Sequence, residues 1–165
     1  MRLKLKTSQT RLADILKNTT LREQFIDYLQ NKEKSIENLD NNIYQFVLWY
    51  EDYNRRFPKT PLDQQRVEVD NILQTYFDGK SLSELNLDED VKLTTLKNVK
   101  LSFDNSTTID PSTFKHAYDI CFHLIESSSI PTFTSLHRKR PSLRNFFNLR
   151  RSSSGQSHSS RTSTI

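Results

Sequence analysis

Apolar positions recur along this chain at helical rather than alternating spacing. Leu12, Ile15 and Leu16 open a short stripe. Thr20-Leu21-Arg22-Glu23 fits a capping box, and Leu21, Phe25, Tyr28 and Leu29 then repeat three and four residues apart. Ile43, Phe46, Val47 and Tyr50 fall at i, i+3, i+4 and i+7, with Trp49 and Tyr53 on the adjoining flank. Thr60-Pro61 predicts a helix start with threonine as cap and proline first in the helix. Val69, Ile72, Leu73 and Tyr76 are its buried stripe, and Asp78-Gly79 its end. Ser81-Leu82-Ser83-Glu84 reads as another capping box, and Asp88 as the cap of a helix carrying Val91, Leu93 and Leu96. Asp110-Pro111 starts the clearest helix, with Phe114, Ala117, Tyr118, Cys121, Leu124 and Ile125 along one face. Ser127-Ser128-Ser129 is predicted to interrupt it, and Ile130 to Phe133 to begin a short final helix. No hairpin signal lies between alternating segments. The pattern predicts an all-α fold of six to nine helices.

Composition divides the chain into three parts. Residues 1–10 form a basic N-terminal extension, and residues 11–136 carry the helical pattern. Residues 137–165 are rich in serine and arginine and cannot form a core, so they are predicted to be a disordered basic tail. Within the tail, Leu143 to Leu149 form one short amphipathic patch. The formal charge is +4, yet the tail alone holds seven Lys or Arg and no acid, which leaves residues 1–136 at −3. A mildly acidic body with basic ends argues against nucleic acid, which needs a basic face on the folded part. Arg138, Lys139, Arg140, Arg144, Arg150 and Arg151 suit peripheral contact with an anionic membrane instead. Ser142 and Ser153 follow paired basic residues as basophilic-kinase sites do. Phosphorylation there adds nearly two negative charges and weakens that attraction.

Other classes are excluded by what is scarce. Two glycines, Gly79 and Gly155, leave no glycine-rich phosphate loop. Cys121 is the single cysteine, so there is no internal disulfide and no cysteine-based zinc site. No apolar run reaches signal-peptide or bilayer-spanning length, so the expected location is cytoplasmic, at most peripheral to the inner face of the plasma membrane. His116, Asp119, His123 and Glu126 have a spacing that can hold a metal, but they lie opposite the apolar stripe and read as a solvated face. Asp88, Glu89 and Asp90 read as an acidic helix N-terminus rather than paired catalytic carboxylates. No metal, cofactor or catalytic group is expected, and the chain is not expected to be an enzyme itself.

Three pieces in order carry a family resemblance. They are residues 12–39 (LADILKNTTLREQFIDYLQNKEKSIENL), residues 85–98 (LNLDEDVKLTTLKN), and residues 110–136 (DPSTFKHAYDICFHLIESSSIPTFTSL). Residues 11–136 resemble a divergent, fungal-type regulator of G-protein signalling (RGS) domain. The resemblance implies a bundle of about nine helices in two subdomains, a monomer that binds the Gα subunit of a heterotrimeric G protein. It implies acceleration of GTP hydrolysis without donated catalytic groups, through a grip on the Gα switch regions in their transition-state shape. Glu37 and Asn38 match the family's first contact loop. Asn98 matches the asparagine that buttresses the catalytic glutamine of Gα when counted from Asn86-Leu87-Asp88, and Asn105 when counted back from Phe114. Ser128, Ser129 and Thr132 occupy the third contact loop.

Two departures bear on activity. Where the family's activators have Asp-Ser-x-x-Arg, this chain has Ser128-Ser129-x-x-Thr132, without carboxylate or guanidinium. Asp40 to Tyr44 also stand as an insertion before the aromatic helix Phe46–Tyr53. The departures at Ser128 and Thr132 favour the alternative of a non-catalytic RGS-like module that tethers a partner at the membrane.

Overall fold

The computed structural model describes residues 10–32 and 39–139. Among the described residues every regular element is helical. The α-helices are α1 (Leu12–Lys17), α2 (Thr19–Lys32), α3 (Leu39–Arg56), α4 (Leu62–Tyr76), α5 (Glu89–Asp104) and α6 (Lys115–Lys139). Single 3-10 turns at Phe57–Lys59 and Pro111–Phe114 lead into α4 and α6. The resemblance implies about nine helices in two subdomains; the described residues hold these six α-helices and two 3-10 turns. No described helix is long and apolar enough to cross a membrane.

The bundle is organised around α3 and α6, which lie antiparallel. The Tyr50 and Tyr118 rings stack at 4.2 Å, and the Tyr118 hydroxyl donates to Glu51. Eleven residues further in opposite directions, Ser129 of α6 meets Asp40 of α3. α4 also runs back along α3: Trp49 Nε1 donates to Glu68 at 2.8 Å, while Tyr76 and Phe77 pack on Phe46. α5 reverses again, so that Arg66 near the start of α4 donates to the Phe103 carbonyl at 2.7 Å.

Two apolar clusters result. The larger joins Phe46, Tyr53, Val69, Leu85, Ile109, Phe114 and their neighbours. The smaller joins α1 and α2 to the start of α3 and the second half of α6, through Leu12, Phe25, Tyr44, Ile125 and Phe133. Leu16, Ile43 and Phe122 pack against both, so the clusters are continuous.

Several local expectations are overturned. α6 is not broken at Ser127–Ser129. Ala117, Cys121, Ile125, Ser129 and Phe133 recur every four residues and are all buried, so tertiary packing carries the helix through a weak local sequence. Ser127 adapts by donating its hydroxyl to the His123 carbonyl at 2.8 Å, and Pro131 lies inside the helix. Asp40, Asn41 and Asn42, expected to stand before the aromatic helix, form the first turn of that helix, α3.

In α5 the buried positions are Val91, Thr95 and Val99, whereas Leu93 and Leu96 point to solvent. Thr95 meets burial by donating its hydroxyl to the Val91 carbonyl at 2.8 Å. Ser81–Glu84 starts no helix; Ser81 instead donates to the Thr75 carbonyl at 2.7 Å and accepts from the Ser83 N–H at 3.2 Å. Asn18, not Thr20, caps α2 by accepting from the Leu21 N–H at 3.0 Å. Pro61, not Thr60, stands at the cap position of α4, so the helix starts at Leu62, one residue later than expected.

α5 ends in a Schellman turn. Thr107 N–H donates to the Ser102 carbonyl at 3.0 Å and Ser106 N–H to that of Phe103 at 3.2 Å, with Ser106 at φ 52°.

Candidate functional site

The end of the bundle at the α3 N-terminus collects the features that bear on recognition. The stripe of α6 that buries Ile125 and Phe133 also buries Ser129, whose hydroxyl donates to the Asp40 carboxylate. Asp40 stands in the first turn of α3, where the helix dipole favours a negative charge. This bond ties α6 to the point at which the chain emerges from residues 33–38. Beneath it the Phe25 ring meets Tyr44 edge-on at 4.8 Å and Phe133 at 5.0 Å. Burial raises the Tyr44 hydroxyl well above the usual tyrosine range, so it stays neutral. Ser128 and Thr132, four apart on α6, are exposed beside Ser129.

The connection between α4 and α5 comes to the same end, because Tyr76 packs on Phe46 in the first half of α3. Leu85 N–H donates to the Tyr76 carbonyl at 2.9 Å, and Leu87 N–H to that of Leu85 at 2.9 Å. Leu85 and Leu87 are both buried, and Asn86 between them is exposed. Two anchored neighbours therefore present one polar side chain from a fixed backbone. The ion pair of Glu84 with Lys92 fastens the connection to the first turns of α5.

Asn98 and Asn105 do not share that position. Both are exposed, and they lie seven residues apart on one flank of α5, about 10 Å along the axis. α5 carries them away from the Leu85–Asp88 connection. Asn105 caps its far end, next to the Ser106 hydroxyl that Arg66 contacts at 3.3 Å and near the α3 C-terminus, where the Tyr53 hydroxyl donates to the Ile109 carbonyl at 2.7 Å. The signal for Asn86 was in the sequence, since Leu-Asn-Leu-Asp alternates two buried leucines with exposed polar residues.

Of the remaining candidates, Glu37 and Asn38 lie outside the described residues, as do Arg140, Ser142, Arg144, Arg150, Arg151 and Ser153. Arg138 and Lys139 fall in the last turn of α6, which runs three residues past Leu136. His116 and His123 line a shallow depression with Ile120 and Leu124 on the outer face of α6, and Asp119 pairs with Lys115. No group of three His, Cys, Asp or Glu side chains among the described residues is placed to hold a metal. Cys121 is fully buried, which pushes its thiol up to about 12 and makes it inert.

The family described as "Regulator of G protein signaling domain" matches residues 11–136. The chain belongs to the RGS family. Comparison with curated proteins finds no match. Membership associates the chain with regulation of G-protein signalling, and the all-helical bundle agrees with it. The matched span includes each described residue of the site, from Asp40 and Asn86 to Thr132.

Proposed function

We propose that this RGS domain binds a Gα subunit through the bundle end built from the α3 N-terminus, the Leu85–Asp88 connection and the second half of α6, and that it accelerates GTP hydrolysis there. The observation that carries the reading is the Ser129–Asp40 bond. It couples the helix bearing Ser128 and Thr132 to the residues that directly follow Glu37 and Asn38. A rigid surface suits the task, because only binding that favours the transition-state conformer of the switch regions lowers the barrier. The reacting groups stay with Gα, and the RGS domain contributes shape and hydrogen bonds.

The role that the resemblance gave to Asn98 or Asn105 is assigned here to Asn86. Its anchored backbone and its location near Phe46 support this reading. Asn86→Ala is expected to reduce single-turnover GTPase acceleration by at least about tenfold, equivalent to about 1.4 kcal/mol. Asn98→Ala and Asn105→Ala should stay within about twofold of the unmodified chain. The reverse pattern returns the role to α5. Equal affinity for the GDP and aluminium-fluoride forms of every Gα tested rejects activation altogether.

That last outcome fits the second reading, a non-catalytic tether, which also has an observation behind it. Ser129 is turned inward to Asp40, and the exposed Ser128 and Thr132 carry no charge. Loss of a charge-assisted contact from a desolvated interface weakens binding by about 2–5 kcal/mol. In either reading the basic residues from Arg138 to Arg151 are proposed to hold the protein at an anionic bilayer. Charge reversal of Arg150 and Arg151 should then weaken vesicle binding at low salt, and unchanged binding removes this part of the proposal.

A further inference from the structure

α5 turns an apolar face outward. Val91, Thr95 and Val99 make the inner stripe, which leaves Leu93, Leu96 and Leu101 at 55%, 36% and 49% exposure. At 100° per residue these leucines surround Lys97 and Lys100, which are also exposed. Glu89 and Asp90 occupy the same outward face in the first turn. From Glu89 to Leu101 this face therefore changes from acidic, through apolar, to basic. Lys92 takes no part in it, because it is withdrawn into its ion pair with Glu84.

Such a face complements itself when two copies lie antiparallel. Set parallel, it brings each lysine against its own counterpart. We propose that α5 is a self-association surface on which a second copy of this chain docks antiparallel about a two-fold axis. With Leu93 of one copy opposite Leu96 of the other, Lys100 falls opposite Glu89 at both ends of the contact. Lys97 then lies within one turn of Asp90 of the other copy. The leucines form the centre, and the ion pairs set direction and register.

An anionic bilayer fits this face less well. Glu89, Asp90 and, just beyond the leucines, Asp104 outnumber the two free lysines. A single helix face buries less than the roughly 800 Å² per partner of a stable complex, so the association is weak and concentration-dependent.

Sedimentation velocity on the full chain tests this, over a range from about 5 to about 500 µM chosen for a weak interface. The weight-average coefficient should rise toward a dimer. Glu89→Lys and Lys100→Glu should each weaken association at least about tenfold, because each sets like charges face to face. An equimolar mixture of these two variants should associate again, since every pair across the two-fold is then opposite in sign. Leu93→Glu should remain monomeric, with unchanged helical circular dichroism because the residue is exposed. A chain that stays monomeric throughout, or a mixture that fails to recover, overturns the proposal. So does vesicle binding that is lost in Leu93→Glu while the unmodified chain is monomeric, which assigns the face to lipid.

Discussion

The two apolar clusters are held together in different ways. The larger is crossed by polar links between distant segments. The fully buried Gln65 donates to the Thr60 carbonyl at 2.8 Å and accepts from the Ile109 N–H at 3.0 Å, and Tyr53 donates to the Ile109 carbonyl at 2.7 Å. The smaller cluster is mainly a contact of rings, Phe25, Tyr28, Tyr44 and Phe133, with the Tyr44 and Thr134 hydroxyls buried there without a hydrogen-bond partner among the described residues. Directional bonds fix one register, whereas apolar packing tolerates small repacking at modest cost. The candidate Gα surface straddles both: the Leu85–Asp88 connection stands on the larger cluster, and the smaller one carries a long-range polar link there, Ser129 to Asp40.

The contrast can be tested first by truncating one ring in each cluster. Phe114→Ala and Phe133→Ala should each destabilise the fold by about 3–5 kcal/mol in urea denaturation. Because Leu16, Ile43 and Phe122 touch both clusters, each variant should still unfold in one transition. Two separated transitions in either variant would mean that the clusters are independent units.

High pH should act on the larger cluster through Cys121. Burial raises its thiol from 9.0 to about 12, so its contribution is complete below pH 9 and is lost as pH rises toward 12. The slope for this group alone is at most about 1.4 kcal/mol per pH unit. Cys121→Ala should therefore flatten the decline in stability between pH 9 and 11 relative to the unmodified chain. An identical decline in both proteins rules out that assignment.

Polar deletions should separate the clusters most clearly. Gln65→Leu leaves the buried Ile109 N–H and Thr60 carbonyl unpaired and should cost about 2–3 kcal/mol. Tyr44→Phe removes a buried hydroxyl that has no partner among the described residues, so its effect should stay within about 1 kcal/mol and can be stabilising. Similar losses in both variants would remove the distinction between cross-linked and ring-packed halves.

A smaller effect than that of Gln65 belongs to the link at the site. Ser129→Ala removes the bond to Asp40 and should lower stability by about 1–2 kcal/mol. If that link aligns the proposed surface, the same change should raise the concentration needed for Gα stimulation more than it lowers melting temperature. A loss of stability with unaltered stimulation would restrict Ser129 to a structural role.

Much of this architecture was legible in the residues. The spacings around Phe25, Phe46 and Phe114 locate three helices, although Asp110 caps a 3-10 turn that leads into the last of them, accepting from the Ser112 N–H at 2.8 Å. The contact with the α3 N-terminus was legible only in part. The family match at Glu37 and Asn38 directs attention to the adjoining residues, but nothing local links Asp40 to a serine 89 residues away. The role of Gln65 was hidden as well, since glutamine in a helix ordinarily faces water and its Ile109 partner lies 44 residues away.

Periodicity and composition alone determine that the body is helical and that most of its aromatic rings go inside, and the resemblance adds that the RGS motifs stand in order. These follow from local spacing, which each segment carries by itself. Tertiary structure decides which of two plausible faces is buried. It turns α5 onto Val91, Thr95 and Val99 and frees its leucines, and it carries α6 through three consecutive serines. It also gathers Asp40, Asn86 and Ser129 at one end of the bundle. The physical reason is that helix formation depends on neighbours within a turn, while burial depends on what other segments bring to the same place.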